Sequence, residues 1–477
     1  MTIVSRPTRG STLLGGSISL PLNACRHEPA RNVSPWLGEP GTAGTVAVVG
    51  AGKVGLSLAA QFAGHGWRVI AVDVQPDVVA AINAGRSHIG EEPGVAELVA
   101  AGQDGGRLRA TLDAAAATRE ADVVVLIVPV MLDADHAPDY AFMDAAVSSI
   151  GPGVHRESTI IFETTLPVGD TRDRFTPRLE AASGLRAEVD FFVAFSPERL
   201  FSGAALRNLA TYPKLVGGLG PASTERAARF YDGVLDAEIV AMSSAEAAEF
   251  AKLADTTYRD VNIALANEFA AYAERVGVDV GEVIAAANSQ PYSHIHQPGL
   301  GVGGHCIPVY SHLLLARAPE MGLVARSRAV NDGQIELAVA AIRDAVGSLA
   351  GTLVLVLGLT YREAVKELAY SRGPALVGRL AAEGAGVAAH DPLLSDAEIR
   401  AIGAEPWAWG TASKARAIVS QTADPLWRGL DATWFPELAL LFDGRNSLQD
   451  VALPEGVAYR GVGAGRSRRP ATGAAPG

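Results

Sequence analysis

The chain has 477 residues and a hydrophobic fraction of 48%, which supports about three domains of ~150 residues, each with its own core. Its net charge of −12 repels phosphate backbones, so nucleic acid is excluded as an expected partner. No apolar run reaches the ~18 residues of a membrane span, and no leader of secretory type is evident, so no membrane partner is expected.

Residues 1–44 read as a flexible N-terminal extension. Their weak apolar patch, Thr12 to Leu22, is broken by Gly15, Gly16 and Pro21. Cys25 lies there, and Cys306 is the only other cysteine. With no disulfide framework to build, a cytoplasmic setting is expected.

The first compact unit is expected over residues 45–240 and opens with "TVAVVGAGKVGLSLAAQFAGHGWRVIAVDV". This reads as strand, G-x-G-x-x-G, helix, strand and acid. Gly50 makes the tight turn, Gly52 lets backbone approach a pyrophosphate, and Gly55 allows close helix–strand packing. Lys53 and Val54 open the helix whose N-terminus holds the phosphates. Asp73 accepts from an adenosine ribose hydroxyl and would repel a ribose phosphate; with no arginine in the following "VQPD", NAD is expected rather than NADP. Three further apolar strands, Asp122 to Val130, Ser158 to Thr165 and Asp190 to Glu198, extend a parallel sheet.

A central helical domain is expected over residues 241–345. Small and apolar residues at 250, 253, 254, 257, 261, 264, 265 and 269 keep helical period. Ser243 and Glu246 read as a capping box, and Gly277 as the stop. Such a helix spans on the order of 45–50 Å, more than one small domain needs, and suggests a spine and a dimer surface. "GLGVGGHCIPVY" (Gly299 to Tyr310) follows, with Cys306 as either a small buried spacer or a reactive thiol. Its glycines leave room for a bulky substrate to approach. His294, His296 and His305 lack metal-ligand spacing with a carboxylate, so no metal is expected.

The third unit, residues 346–462, repeats the opening topology: "RLAAEGAGVAAHDP" echoes "QFAGHGWRVIAVDVQP". Its turn "GLTYREA" lacks the second and third glycines, which leaves a smaller nucleotide or a structural role. Residues 463–477 read as a disordered tail. The expected fold is therefore α/β, two Rossmann-like doubly wound domains joined by a long central helix. A thiol between two such units suits alcohol oxidation near NAD. An aldehyde gives up a second hydride readily only once a nucleophile has made its carbon tetrahedral.

At "VVGAGKVG", "ETTLPVG", "SPERLFSG", "AKLADTTYRDVNIALANE", "QPGLGVGGHCIP", "VNDGQ" and "FDGRNSL", from about Thr45 to about Tyr459, the chain resembles the nucleotide-sugar 6-dehydrogenases. The resemblance implies oxidation of a UDP-hexose or UDP-N-acetylhexosamine to the uronic acid with two NAD, in a homodimer. "SPER..SG" with "GVGGHCIP" is more similar to the N-acetylhexosamine branch. It implies Cys306 as nucleophile, Lys252 as oxyanion stabiliser and Glu198 as the group that positions or activates water. Val130 and Thr165 would join Gly50, Gly52, Lys53, Val54, Gly55 and Asp73 at the cofactor. Arg199, Thr256, Ile295, Gln297, Gly299, Gly303 and Arg362 would hold the UDP-sugar. Four positions depart from the family pattern. Thr256 replaces an asparagine, Tyr310 an aspartate, Val130 one of a threonine-proline pair, and Ala369 an arginine. Two alternatives stand beside this reading. One is a dehydrogenase of UDP- or TDP-glucose in natural-product sugar assembly; the other is an impaired nucleotide-sugar-binding homologue.

Overall fold

In a computed structural model, residues 43–90 and 92–464 are described. Cys25, nearly all of the N-terminal extension and the tail beyond 464 lie outside the described residues.

The first sheet has eight strands: β1 (Thr45–Val49), β2 (Arg68–Val72), β3 (Leu108–Thr111), β4 (Val123–Leu126), β5 (Thr159–Phe162), β6 (Phe192–Phe195), β7 (Lys214–Gly218) and β8 (Ile239–Ala241). Their order is β8-β7-β6-β5-β4-β1-β2-β3. Helices cover both faces, so β1, β4 and β5 are buried along their whole length and read as unbroken apolar or β-branched runs. Pairing is parallel except between β6 and β7. β7 comes back antiparallel along β6, so the chain after Phe195 reverses at the carboxyl edge of the sheet and leaves Glu198 there. In such sheets ligands bind beyond the carboxyl ends of the strands. The residues just past β1, β4, β5 and β6 include Gly50, Val130, Thr165 and Glu198, so four separate strands deliver candidate residues to one edge.

The second sheet has β9 (Leu353–Leu357), β10 (Gly386–His390), β11 (Glu405–Pro406), β12 (Ala417–Ser420), β13 (Leu440–Asp443) and β14 (Ala458–Gly461), in the order β11-β10-β9-β12-β13-β14, all parallel. This is the strand order of the first unit's core. After β14 the chain docks back on the central domain: Gly463 N donates to Glu274 and its carbonyl accepts from Val280 N at 2.8 Å.

Between the sheets runs the helix Ala245–Val276, 32 residues and about 48 Å long. Its cap is Ser244, not Ser243. Ser244 is the last extended residue and its hydroxyl accepts from Ala247 N at 3.2 Å. Glu246 instead reaches out to Arg172 at 2.6 Å. Gly277 closes the helix in the left-handed region, as its sequence position suggested. The helices Ile307–Leu315 and Gly322–Asp332 pack against it. A buried polar cluster pins all three together. Asp260 accepts from Ser311 at 2.7 Å, Arg328 at 2.8 Å and Asn331 Nδ2 at 2.8 Å. Asn331 in turn accepts from Asn267 at 3.0 Å. No helix among the described residues is long and apolar enough to cross a membrane.

Candidate active site

The glycine turn is built by close approach. Gly50 holds φ +95°, which favours glycine, and donates to Val72 O at 2.8 Å. A Cβ on Gly55 would lie 1.8 Å from Gly50 O, so the helix Lys53–Gly64 packs on the turn only with glycine there. A Cβ on Gly52 would meet nothing, which leaves its outer side open for a ligand. Gly52 caps the helix without any side-chain bond, so the first helical N–H groups keep their capacity to hold an anion. The Asp73 carboxylate accepts from Ala51 N and from Gln75 N, both at 2.9 Å. It therefore braces the turn. These residues fit NAD.

The equivalent acid in the third unit is used up locally. Asp391, almost fully buried, accepts from Leu359 N at 2.7 Å, Thr360 N at 2.9 Å and the Thr360 hydroxyl at 3.0 Å. Only the first unit presents a dinucleotide turn among the described residues.

A cleft of about 810 Å³ opens beside that turn. Gly52, Lys53, Val54 and Gly55 line it, as do Val130 and Thr165. Glu198, Arg199, Lys252, Gly303 and Cys306 line it too, so one cavity gathers the cofactor turn and the three candidate reactive side chains. Gly50, Asp73, Thr256, Ile295, Gln297, Gly299 and Arg362 do not line it. Thr256 is fully buried and its hydroxyl donates back to Lys252 O at 3.3 Å. Ile295 is held by Asn288 through two hydrogen bonds of 2.9 and 2.8 Å, and Gly299 N donates to Asn267 at 2.9 Å. Gln297 is exposed. Arg362 ties the third unit to the first, donating to Tyr361 Oη at 2.8 Å and Ser202 O at 3.3 Å.

Cys306 sits at the N-terminal cap of the helix Ile307–Leu315, where the helix dipole favours a thiolate. Burial pushes its thiol up. The Lys252 ammonium and the Tyr310 hydroxyl pull it down, while Glu198 works against them. Lys252 is buried by the long helix and donates to the Glu198 carbonyl; the Glu198 carboxylate accepts from Leu200 N.

The glycines of the cysteine loop have a reason the sequence reading did not give. Gly304 holds φ +88°, and a Cβ there would lie 2.9 Å from the Tyr361 ring; one on Gly303 would lie 3.0 Å from Tyr370 O. Their lack of side chains lets the loop close against the third unit. His305 adds a polar contact across the same seam, Nε2 lying 2.9 Å from the Glu367 carboxylate. Among the described residues no group of three or more His, Cys, Asp or Glu is arranged for a metal ion.

Sequence reasoning missed Arg259. It lines the cleft two turns beyond Lys252, and its buried Nε has no hydrogen-bond partner among the described residues. The spacing 252, 255, 259 on one helix face was the signal that could have found it.

Three segments of the chain match models of one protein family. Residues 44–235 match the UDP-glucose/GDP-mannose dehydrogenase family's NAD binding domain, 246–332 its central domain and 355–450 its UDP binding domain. A UDP-N-acetyl-D-mannosamine dehydrogenase of Pyrococcus horikoshii is 31% identical over 428 residues, 88% of this chain and 99% of the relative. The solved structure of a UDP-D-ManNAc dehydrogenase from Pyrococcus horikoshii superposes with TM-score 0.79 at 30% identity, covering 88% of this chain and 99% of the other. That of a UDP-glucose dehydrogenase from Pyrobaculum islandicum gives 0.79 at 27% identity, covering 89% and 98%.

Proposed function

Because the chain belongs to the UDP-glucose/GDP-mannose dehydrogenase family, and is thereby an NAD-dependent dehydrogenase of UDP-sugars, we propose that it oxidises the sugar primary alcohol of a UDP-N-acetylhexosamine, UDP-N-acetylmannosamine first, to the uronic acid through a covalent adduct on Cys306. The observation that carries the reading is the single cleft shared by the glycine turn, Cys306, Lys252 and Glu198. The names of the relatives favour the acetamido sugar.

In this reading the turn's backbone N–H groups hold the pyrophosphate, and Asp73 accepts from the ribose. Bound NAD supplies the hydride acceptor, twice per sugar. After the first oxidation the Cys306 sulfur adds to the aldehyde carbon. A carbon–sulfur bond forms, and the carbonyl electron pair moves to oxygen, where the Lys252 ammonium meets it. The tetrahedral carbon then gives up its hydrogen as hydride, leaving a thioester. Water attacks the thioester, Glu198 takes the water's proton, and the carbon–sulfur pair returns to sulfur. Arg259, which lines the cleft, contacts the bound UDP-sugar. A cytoplasmic setting, which keeps Cys306 reduced, belongs to the same reading.

The test is stoichiometry on purified protein against a panel of UDP- and TDP-sugars. Two NADH per sugar and a uronate product support the proposal; one NADH, or none with any sugar, refutes it.

For the cofactor we expect kcat/KM with NAD to exceed that with NADP at least about tenfold, roughly 1.4 kcal/mol. Asp73→Asn keeps an oxygen for Ala51 N while removing the charge, so it should narrow the gap. Asp73→Ala should weaken both cofactors by loosening the turn. Equal turnover with NADP in the unaltered protein would contradict the assignment.

We also propose a homodimer about the long helix. Tyr258, Leu265, Phe269, Tyr272 and Val276 are all exposed there. At 100° per residue they fall within about 60° of each other, one apolar stripe that a second copy would cover. Light scattering at micromolar concentration should give twice the chain mass, and Phe269→Glu with Tyr272→Glu should give the monomer. A monomeric unaltered protein would refute the dimer.

A further inference from the structure

Glu163 and Lys214 form a buried ion pair that the reaction proposed above does not use. Glu163 follows β5 directly and is fully buried; Lys214 opens β7, is almost fully buried, and sets its ammonium 3.0 Å from Glu163 Oε2. Tyr231, on the helix Pro221–Asp232, donates to the other carboxylate oxygen. Burial and the neighbouring Glu163 hold that hydroxyl far above the usual phenol range, so it stays a donor. The pair lies where the loop 196–213, which carries Glu198, leaves the sheet and returns to it. Glu198 N donates to Glu163 O at 3.3 Å, Ser196 Oγ to Leu215 O at 2.7 Å and Arg199 Nη1 to Pro213 O at 3.2 Å. Glu163 therefore holds the start of the loop by its carbonyl and the end by its carboxylate. Glu163, Lys214 and Glu198 also line one small cavity of about 20 Å³, so nothing larger than a water fits among them.

We propose that Glu163 and Lys214 are positioning residues for Glu198, fixing both ends of its loop so that its carboxylate meets the hydrolytic water in one place. Buried ion pairs seldom add net stability over apolar residues of the same volume, so the effect of this pair is sought in geometry. The proposal rests on the function proposed above. In the hydrolytic step water's oxygen bonds to the thioester carbon, its proton goes to Glu198, and the carbon–sulfur pair returns to sulfur. Glu163 and Lys214 exchange no proton and act through Glu198. The glycine turn is braced by Asp73 and Val72 O, and Cys306 stands on its own helix, so formation of the thioester depends far less on the pair than its hydrolysis does.

The experiment separates the two halves of the reaction. Rapid-quench mass spectrometry of the peptide bearing residue 306 follows the formation and decay of the acyl adduct in Lys214→Met, which removes the ammonium and keeps the stem. Decay should slow at least about tenfold, while formation changes less than about twofold, because only the water-activating step is misplaced. A merely destabilising substitution would lower the amount of active protein and leave both rates unchanged. Glu198→Gln should slow decay as well, and adding Lys214→Met to it should slow decay no further, since Lys214 acts through Glu198. Unchanged decay in folded Lys214→Met, or further slowing in the double variant, overturns the proposal. If Lys214→Met does not fold because Glu163 is left buried and unpaired, Glu163→Gln with Lys214→Met removes both charges, and slowed or unchanged decay there decides in its place. Unaltered protein that yields no NADH from any UDP-sugar refutes the function and the proposal with it; two NADH per sugar with unchanged decay in the variant refutes the positioning alone.

Discussion

Cys306→Ala should lower uronate formation at least about a thousandfold, roughly 4 kcal/mol of barrier, while leaving NAD bound. The separation follows from the architecture: the glycine turn is shaped by Gly50, Gly55, Ala51 and Asp73 within the first unit, and none of those contacts involves residue 306. The adduct, in contrast, depends on a sulfur placed at the end of the helix Ile307–Leu315, facing Lys252 and Tyr310. Cys306→Ser is the sharper variant. A serine oxygen can add to the aldehyde and reach an ester, but an ester is hydrolysed more slowly than a thioester. The peptide bearing residue 306 should therefore gain the mass of the sugar nucleotide acyl group. Activity loss alone would not distinguish chemistry from packing, since Gly303 and Gly304 press directly on Tyr370 and Tyr361. Two NADH and a uronate at the normal rate from Cys306→Ala would return Cys306 to the role of a small residue in a tight loop.

The parts of the molecule that could be read from the sequence are those fixed at short range. The first strand, the glycine turn, its helix and Asp73 lie within thirty residues, and Gly55 answers to Gly50 five positions away. The long helix was legible because its period and its Gly277 stop are local as well. What could not be read is decided across the chain. The reversal of β7 against β6 is a property of the sheet edge, and no residue in "TYPKLVGG" signals it. The helix cap lies at Ser244, and Glu246 is paired with Arg172, more than seventy residues earlier. Within the site, Cys306, Lys252 and Glu198 were legible as members of recurring motifs, and one cleft holds all three. Thr256 and Arg362 were carried over by the same motifs; in the fold Thr256 donates to Lys252 O, and Arg362 to Tyr361 and Ser202.

The same distinction locates the largest expected loss of stability, at a residue with no part in the chemistry. Asp260 is completely buried on the long helix and accepts from Arg328, Asn331 and Ser311, which come from two other helices. Arg328 is itself only 3% exposed. Its remaining carboxylate contact is Asp332, at 3.1 Å and half exposed. Asp260→Ala would leave the guanidinium buried with only that partner, and breaking such a pair from one side costs about 3–5 kcal/mol. Asp260→Asn keeps the shape and one acceptor, and should cost less. Replacing Asp260 and Arg328 together with apolar residues should recover much of the loss, because the uncompensated charge is then gone. Denaturant unfolding would read all three. The effect should reach the active site through Ser311, which sits on the cysteine helix five residues after Cys306. Losing its bond to Asp260 frees that helix, so kcat should fall in Asp260→Ala even where the protein remains folded. An Asp260→Ala variant within about 0.5 kcal/mol of the unaltered protein would mean that the cluster is well enough hydrated to keep Arg328 solvated, and the three helices would then be held by their apolar contacts alone.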